Sequence, residues 1–506
     1  MMMKASKLFM LSAIALTLVS VNFASDSDSE NVFRPVSIAG SQDVLSIAEM
    51  IQLKVGAFGA ESIAFDPNGE GPYTGVADGR VLKWQQHSQT WIDFAVTSSQ
   101  RKNCSRAFAP EMEHVCGRPL GLRFDHNTGD LYIADAYLGL QVVGRTGGLA
   151  TPLVQDFEGQ PLRFTNDLDI DDHDDVIYFT DTSTIYQRRQ FVAATASGDK
   201  TGRLMKYDKS IKQVTVVLGD LSFANGVALS KDRSFVLVAE TSACRIQRYW
   251  LKGPNIGTHD TFVELPGFPD NVRINSRGEF WVALHAKASP LARLITSNSW
   301  LGKTLLRKFN FQQMHNLLVG GQPHATAIKL SEEGRVLEVL EDVKGEKLRF
   351  ISEVHEEENG KLWIGSGFRS VVQWFRVQVC GSGSVVRGSW FRVQWFRVCG
   401  SGSGSGSGFR SVVRGLWSVW FSGLWFVVCG SGFSGSGFCG SGSWFRFVVQ
   451  GSGLWSVVQV QGSVVLWFVV QVRGSGFVVC GSGSGSVVQV QGSVVQVQVC
   501  GSVVQV

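Results

Sequence analysis

Between residues 62 and 342 the chain restarts one pattern six times, and few folds tolerate that. Each pass opens with an apolar-x-apolar triplet, reaches a polar turn at Asp, Ser or Asn, and continues into a second apolar strand. The passes are "SIAFDPNGEGPYTGVADGRVLKWQ", "GLRFDHNTGDLYIADAYLGLQVV", "DLDIDDHDDVIYFTDTSTIY", "GVALSKDRSFVLVAETSACRIQRYW", "NVRINSRGEFWVALHA" and "AIKLSEEGRVLEVLED". Alternation bounded by turn-forming residues reads as strands, and no pass contains a convincing amphipathic helix. Units of this size with several strands each predict an all-β fold, a six-bladed β-propeller.

The repeat also sets a phase. In a propeller the first strand of every blade lines the central channel, so equivalent positions form a ring around the axis. Two residues ahead of the six opening triplets lie Glu61, Leu120, Asn166, Asn225, Asp270 and Thr326, spaced 59, 46, 59, 45 and 56 residues apart. Four of the six carry side-chain oxygen, and Asn271 adds a fifth donor beside Asp270. Oxygen ligands with two carboxylates suit a hard cation, and a loose set of five favours Ca²⁺ over Mg²⁺. No Cys or His joins the ring, which argues against zinc. The bland alternative is that Asn-Gly and Asp-Asn are ordinary turns before strands, but turn preference leaves Glu61 unexplained.

Composition divides the chain near residue 365. Residues 366–506 use only Gly, Ser, Val, Gln, Phe, Arg, Trp, Leu and Cys. All 43 acidic residues and 38 of the 47 basic ones precede them, giving the body a net charge of −5 and the tail +9. A basic patch for nucleic acid is therefore not expected on the body. The tail cycles among Ser-Gly, Val-Gln and Phe-Arg, the three reading frames of one hexanucleotide, GGTTCA. It reads as translated repeat or disordered sequence and is assigned no fold, although pieces such as "SVVQVQ" can pair as β. "RSVVQWFRVQV", at its start, alternates well enough to serve as a strand of the last blade.

At the other end, Lys4 and Lys7 precede the apolar "LFMLSAIALTLVSV", which predicts a signal peptide over residues 1–25, with an uncleaved anchor as the alternative. The propeller is then expected over 26–365, with no stable membrane span after signal removal. In an oxidising lumen Cys104 and Cys116, which bracket a polar loop, are expected to pair, while Cys244 reads as a buried free thiol. Asn103 in "NCS" is a glycosylation acceptor by pattern. The insertion "TIYQRRQFVAATASGDKTG", residues 184–202, is expected to wall the substrate site. His324 and His114 are expected to be exposed.

Seven segments carry a family resemblance: "AESIAFDPNGEGPYTGVADGRVLKW", "VCGRPLGLRFD", "LYIADAYLGLQVV", "RFTNDLDID", "FANGVALS", "RYWLKG" and "GKLWIGS". Together, over roughly residues 35–365, the chain resembles the plant strictosidine synthase-like proteins. That family consists of six-bladed propellers related to paraoxonase-type lactonases and to the animal adipocyte plasma-membrane-associated protein. The resemblance implies entry into the secretory pathway, to the vacuole or outside the cell, and a small-molecule substrate.

It also implies two competing chemistries. One is metal-dependent hydrolysis of small esters or lactones, with Ca²⁺ held by Glu61, Asn166, Asn225, Asp270 and Asn271. For that reaction His285 resembles a histidine beside the lactonase site and Asp181 its acidic partner. The other is condensation of an amine with an aldehyde, for which Glu353 falls at the position of the synthase glutamate. Two departures bear on Glu353: the histidine expected two residues earlier is Ile351, and another gap placement selects Glu346. A non-catalytic propeller that binds a ligand or partner is the third reading.

Overall fold

The computed structural model describes residues 37–102, 104, 109–321, 323–367 and 371–376, together with nine strands between 397 and 500. Two compact units result, divided between Val377 and Gln378. The predicted signal peptide and Asn103 lie outside the described residues.

The first unit is the six-bladed β-propeller. Blade one begins at the bridge between Ala64 and Tyr73, continues through Tyr73–Gly75, Arg80–Gln85 and Thr90–Val96, and gains Gly148–Leu149 at its outer edge. Blade two comprises Pro119–Phe124, Leu131–Asp135, Gly139–Val143 and Thr151–Val154. Blades three and four run from Thr165–Asp171 to Gln213–Leu221 and from Ala224–Leu229 to His259–Glu264, each as four antiparallel strands.

Blade five departs from the sequence reading. Its strands are Gly267–Ile274, Phe280–Lys287, Ala325–Leu330 and Val336–Asp342, with Gln42–Asp43 added in parallel at the outer edge. The sixth repeat, "AIKLSEEGRVLEVLED", is thus the outer half of blade five, and Thr326 bonds Glu341 there at 2.9 Å instead of joining the ring. Blade six opens instead at Glu353–Glu356, and Ser352 takes the ring position. The misreading has a local cause: a hairpin inside a blade repeats the same apolar-turn-apolar pattern as a blade opening.

Three helices, Pro290–Ser297, Ser299–Leu306 and Phe311–Leu318, separate the two halves of blade five. They lie between the fifth and sixth passes, in a stretch that neither pass includes. Their start signals are present in the sequence: Ser289 caps Ala292 N with Pro290 next, and Asn310 and Gln313 form a reciprocal capping box. Their apolar faces pack as Leu291, Ala292, Ile295, Leu301, Met314 and Leu318 over Phe268 and Ala286.

Apolar residues between blades hold the ring together. Val176 and Tyr178 pack toward blade four with Val227, Val236 and Val238, whereas their neighbours Ile177 and Phe179 pack toward blade two with Ala134 and Leu140. Successive side chains leave opposite faces of a strand, so a blade buried on both faces needs an almost continuous apolar run. Each fully buried Ile or Phe of this kind contributes roughly 1.5–3 kcal/mol.

Closure joins the two ends of the unit. Blade six pairs Glu353–Glu356 with Lys361–Gly365, then Val371–Arg376, whose outer edge pairs with Glu49–Gln52. The strand 371–376 lies beyond the compositional boundary yet belongs to the propeller. Trp363 and Val372 then pack on Ile63, Leu82 and Trp91 of blade one.

In the second unit the described strands, from Arg397–Cys399 to Gln496–Cys500, form two parallel sheets, one of five strands and one of four. Successive pairings such as Val469 with Val487 and Val479 with Val497 put like residues in register.

Candidate functional site

The inner strands bring Glu61, Asn166, Asn225 and Asp270 to one end of the channel, at the floor of a pocket. Its walls are largely apolar: Leu120, Phe164, Phe223 and Phe268 beside the channel, and Phe191, Leu318 and Val319 from the insertions. Helix Phe191–Ala196 of the 184–202 insertion supplies Phe191 and Thr195, and Arg188 comes from the turn before it.

The floor is densely charged and desolvated. Arg118, fully buried, donates to Glu61 Oε2 at 3.1 Å, and Glu113 pairs with Arg188 at 3.0 Å. Burial lifts the Glu61 carboxyl above its ordinary range, opposed first by Arg118. Burial and then the Glu61 charge lift Asp270 well above its own. Two carboxyl groups that resist ionising together mark a place where added positive charge is favoured.

Each of the three asparagines donates through its amide nitrogen. Asn225 Nδ2 donates to Thr241 Oγ1 at 3.0 Å and to Asp270 Oδ1 at 2.8 Å, Asn166 Nδ2 to Thr182 Oγ1 at 2.9 Å, and Asn271 Nδ2 to Glu353 Oε2 at 3.1 Å. Asn225 Oδ1 and Asn271 Oδ1 are buried with no hydrogen-bond partner. A buried carbonyl oxygen without a donor is unfavourable by about 1–3 kcal/mol, and a cation relieves it. Two orphan oxygens, a third amide and two carboxylates therefore fit a hard divalent ion.

Glu353 lies in a different layer. It is fully buried away from the pocket lining, accepting from Ser62 Oγ at 2.9 Å, Ile63 N at 3.0 Å and Arg273 at 2.5 Å. Arg273 reaches in the other direction to Asp167 at 2.5 Å, so one guanidinium ties blade five to blades three and six. Glu346 is fixed at a turn, its N–H donating to Asp342 Oδ1 at 3.0 Å. Asp181 is also outside the pocket. Its carboxylate pairs with Arg203 at 2.9 Å and accepts from Phe164 N, which places a wall residue.

His285 does line the pocket, together with His315, which the sequence reading did not single out. Burial, then the neighbouring His315 ring, holds His285 well below the usual imidazole range, and burial lowers His315 to about 4. Phe350 stacks on His285 with ring centroids 5.2 Å apart. His324 is buried and accepts from Lys287 N at 2.7 Å, contrary to the expected exposure; His114 is exposed as expected. Arg118, Arg188 and Glu113 were likewise missed, since nothing in their local sequence distinguishes them from surface charge.

Elsewhere, Cys104 and Cys116 form a disulfide and Cys244 is a buried free thiol. Asp171, His173 and Asp174 make a second acidic grouping, but Asp171 already pairs with Arg233 and accepts from His173 N and Asp174 N in a turn. Among the described residues no helix is long and apolar enough to cross a membrane.

Comparison with known proteins gives a consistent placement. The strictosidine synthase family pattern matches residues 166–254, and the strictosidine synthase-like N-terminal pattern matches residues 42–84. Strictosidine synthase-like protein 10 of Arabidopsis thaliana is 62% identical over 362 residues, covering 71% of this chain and 96% of its own length. Strictosidine synthase-like protein 9 of the same plant is 46% identical over 333 residues, covering 66% and 89%. A solved gluconolactonase from Xanthomonas campestris superposes with a TM-score of 0.43 at 15% identity, covering 67% of this chain and 94% of that one. At this identity and coverage the chain belongs to the strictosidine synthase-like family.

Proposed function

We propose that this protein is a calcium-dependent hydrolase of small esters or lactones that works in the secretory pathway, in the vacuole or outside the cell. The observation that carries the reading is the pair of unpartnered amide oxygens, Asn225 Oδ1 and Asn271 Oδ1, in a buried oxygen set with Glu61, Asn166 and Asp270. Those five residues would hold the cation. Bound there, a cation would supply Lewis-acid polarisation of a substrate carbonyl.

The rest is chemistry of the chain itself. Leu120, Phe164, Phe223 and Phe268 take the apolar body of the substrate and exclude bulk water. Neutral His285 and His315 share one proton between their facing nitrogens, and the pair takes the proton of the attacking water. Water oxygen bonds to the carbonyl carbon, the ester carbon–oxygen bond breaks, and the proton passes to the leaving oxygen. Arg118 keeps Glu61 turned to the floor. The position of Glu353, saturated by four donors beneath the floor, gives no support to a condensing role.

The test is hydrolysis of a panel of aryl esters and lactones by protein stripped of divalent ions, before and after calcium is restored. Turnover that appears only with calcium supports the reading. Absence of turnover with calcium present overturns it and leaves the ligand-binding propeller in its place.

A further inference from the structure

Two threonines outside the ring decide which end of two ring amides faces the axis. Asn166 Nδ2 donates to Thr182 Oγ1, and Asn225 Nδ2 to Thr241 Oγ1. A hydroxyl has one proton, and both threonines commit theirs to the next blade. Thr182 Oγ1 donates to the Ala224 carbonyl at 2.7 Å, and Thr241 Oγ1 to the Pro269 carbonyl at 2.6 Å. Those carbonyls belong to the residues just ahead of Asn225 and Asp270. With its proton so committed, each hydroxyl can only accept from asparagine. The amide must therefore present its NH₂ to threonine and turn its oxygen away.

The distribution of these hydroxyls follows the chemistry of the ring. One register position recurs past the inner hairpin: Thr182, Thr241, Ala136 and His285 each stand three residues beyond the second-strand partner of Leu168, Val227, Leu122 and Val272, and Ala77 takes that place in blade one. Threonine stands there where the ring residue is Asn166 or Asn225. Alanine stands there where it is Glu61 or Leu120, and His285 where it is Asp270. A carboxylate offers oxygen either way round and leucine has nothing to orient, so only the amides need the hydroxyl. Asn271, the remaining amide, donates one proton to Glu353 instead.

We infer that Thr182 and Thr241 are positioning residues that lock Asn166 and Asn225 in the oxygen-inward orientation required to bind a hard divalent cation. The inference rests on the cation reading above. Partners that orient a ligand typically change metal affinity 10–100-fold when removed.

The experiment is calorimetric titration of calcium into the stripped full chain, comparing wild type with Thr182→Val, Thr241→Val and the corresponding serine variants. Valine keeps the shape and removes the hydroxyl; serine keeps the hydroxyl. The expected result is roughly a tenfold or greater loss of calcium affinity in each valine variant and wild-type affinity in the serine variants. A merely structural role would lower the calcium-free thermal midpoint and leave affinity unchanged, and equal affinities overturn the inference. Valine variants that fail to fold while serine variants behave as wild type also overturn it, because the hydroxyl then serves the fold. A wild type that takes up no calcium instead overturns the cation reading itself.

Discussion

His285 Nε2 and His315 Nε2 lie 3.2 Å apart, one from the second strand of blade five and the other from a helix inserted after it. A hydrogen bond between two imidazole nitrogens requires one ring to donate and the other to accept, so the two rings hold complementary tautomers. Phe191 and Phe350 flank the pair and keep it dry.

The pair predicts a pH profile. Both rings are neutral in the folded chain, with His315 titrating near 4 against an ordinary value near 6.5. The unfolded chain therefore binds more protons below pH 6.5, and stability falls as pH drops from about 6.5 toward 4. For His315 alone the full loss is roughly 3 kcal/mol. Denaturation midpoints measured across this range should fall in wild type and fall less in His315→Gln. A wild-type curve that stays flat down to pH 4 would contradict neutral burial.

Asp270→Asn removes one of two ring carboxylates while keeping side-chain size. With cation bound only to the folded state, weaker affinity means less stabilisation by mass action. The wild-type thermal midpoint should rise with added calcium, and that of Asp270→Asn should rise much less. Identical responses would return the ring to turn chemistry.

Arg273 stands between Asp167 and Glu353, and all three are buried. Arg273→Met leaves two buried carboxylates without their counter-charge, which should destabilise the propeller by about 3–5 kcal/mol. Adding Asp167→Asn and Glu353→Gln removes the stranded charges and should restore part of that loss. Urea titration of the single and triple variants measures both; a silent Arg273→Met would mean the triad does not join the blades.

Truncation tests where the propeller ends. A chain of residues 26–377 keeps Val371–Arg376 between Lys361–Gly365 and Glu49–Gln52. A chain of 26–365 leaves both neighbours as open edges that invite pairing with other chains. Size-exclusion chromatography should find the longer form monomeric and the shorter one associated. Equal behaviour would show that the third strand of blade six is dispensable.

Sequence by itself determined the repeat, and with it the propeller and the oxygen-bearing phase at Glu61, Asn166, Asn225, Asp270 and Asn271. Period and turn chemistry are local, so they survive in one dimension. Only the tertiary structure decided which repeat was a blade, because "AIKLSEEGRVLEVLED" and a true blade opening share one local pattern and differ only in the strands they pair with. It also decided that Glu353 lies beneath the floor, that His285 meets His315, and that Arg118 holds Glu61. Each of those contacts crosses between elements far apart in the chain. They form when blade six packs on blade one and insertions fold over the channel, and no window of sequence contains that closure.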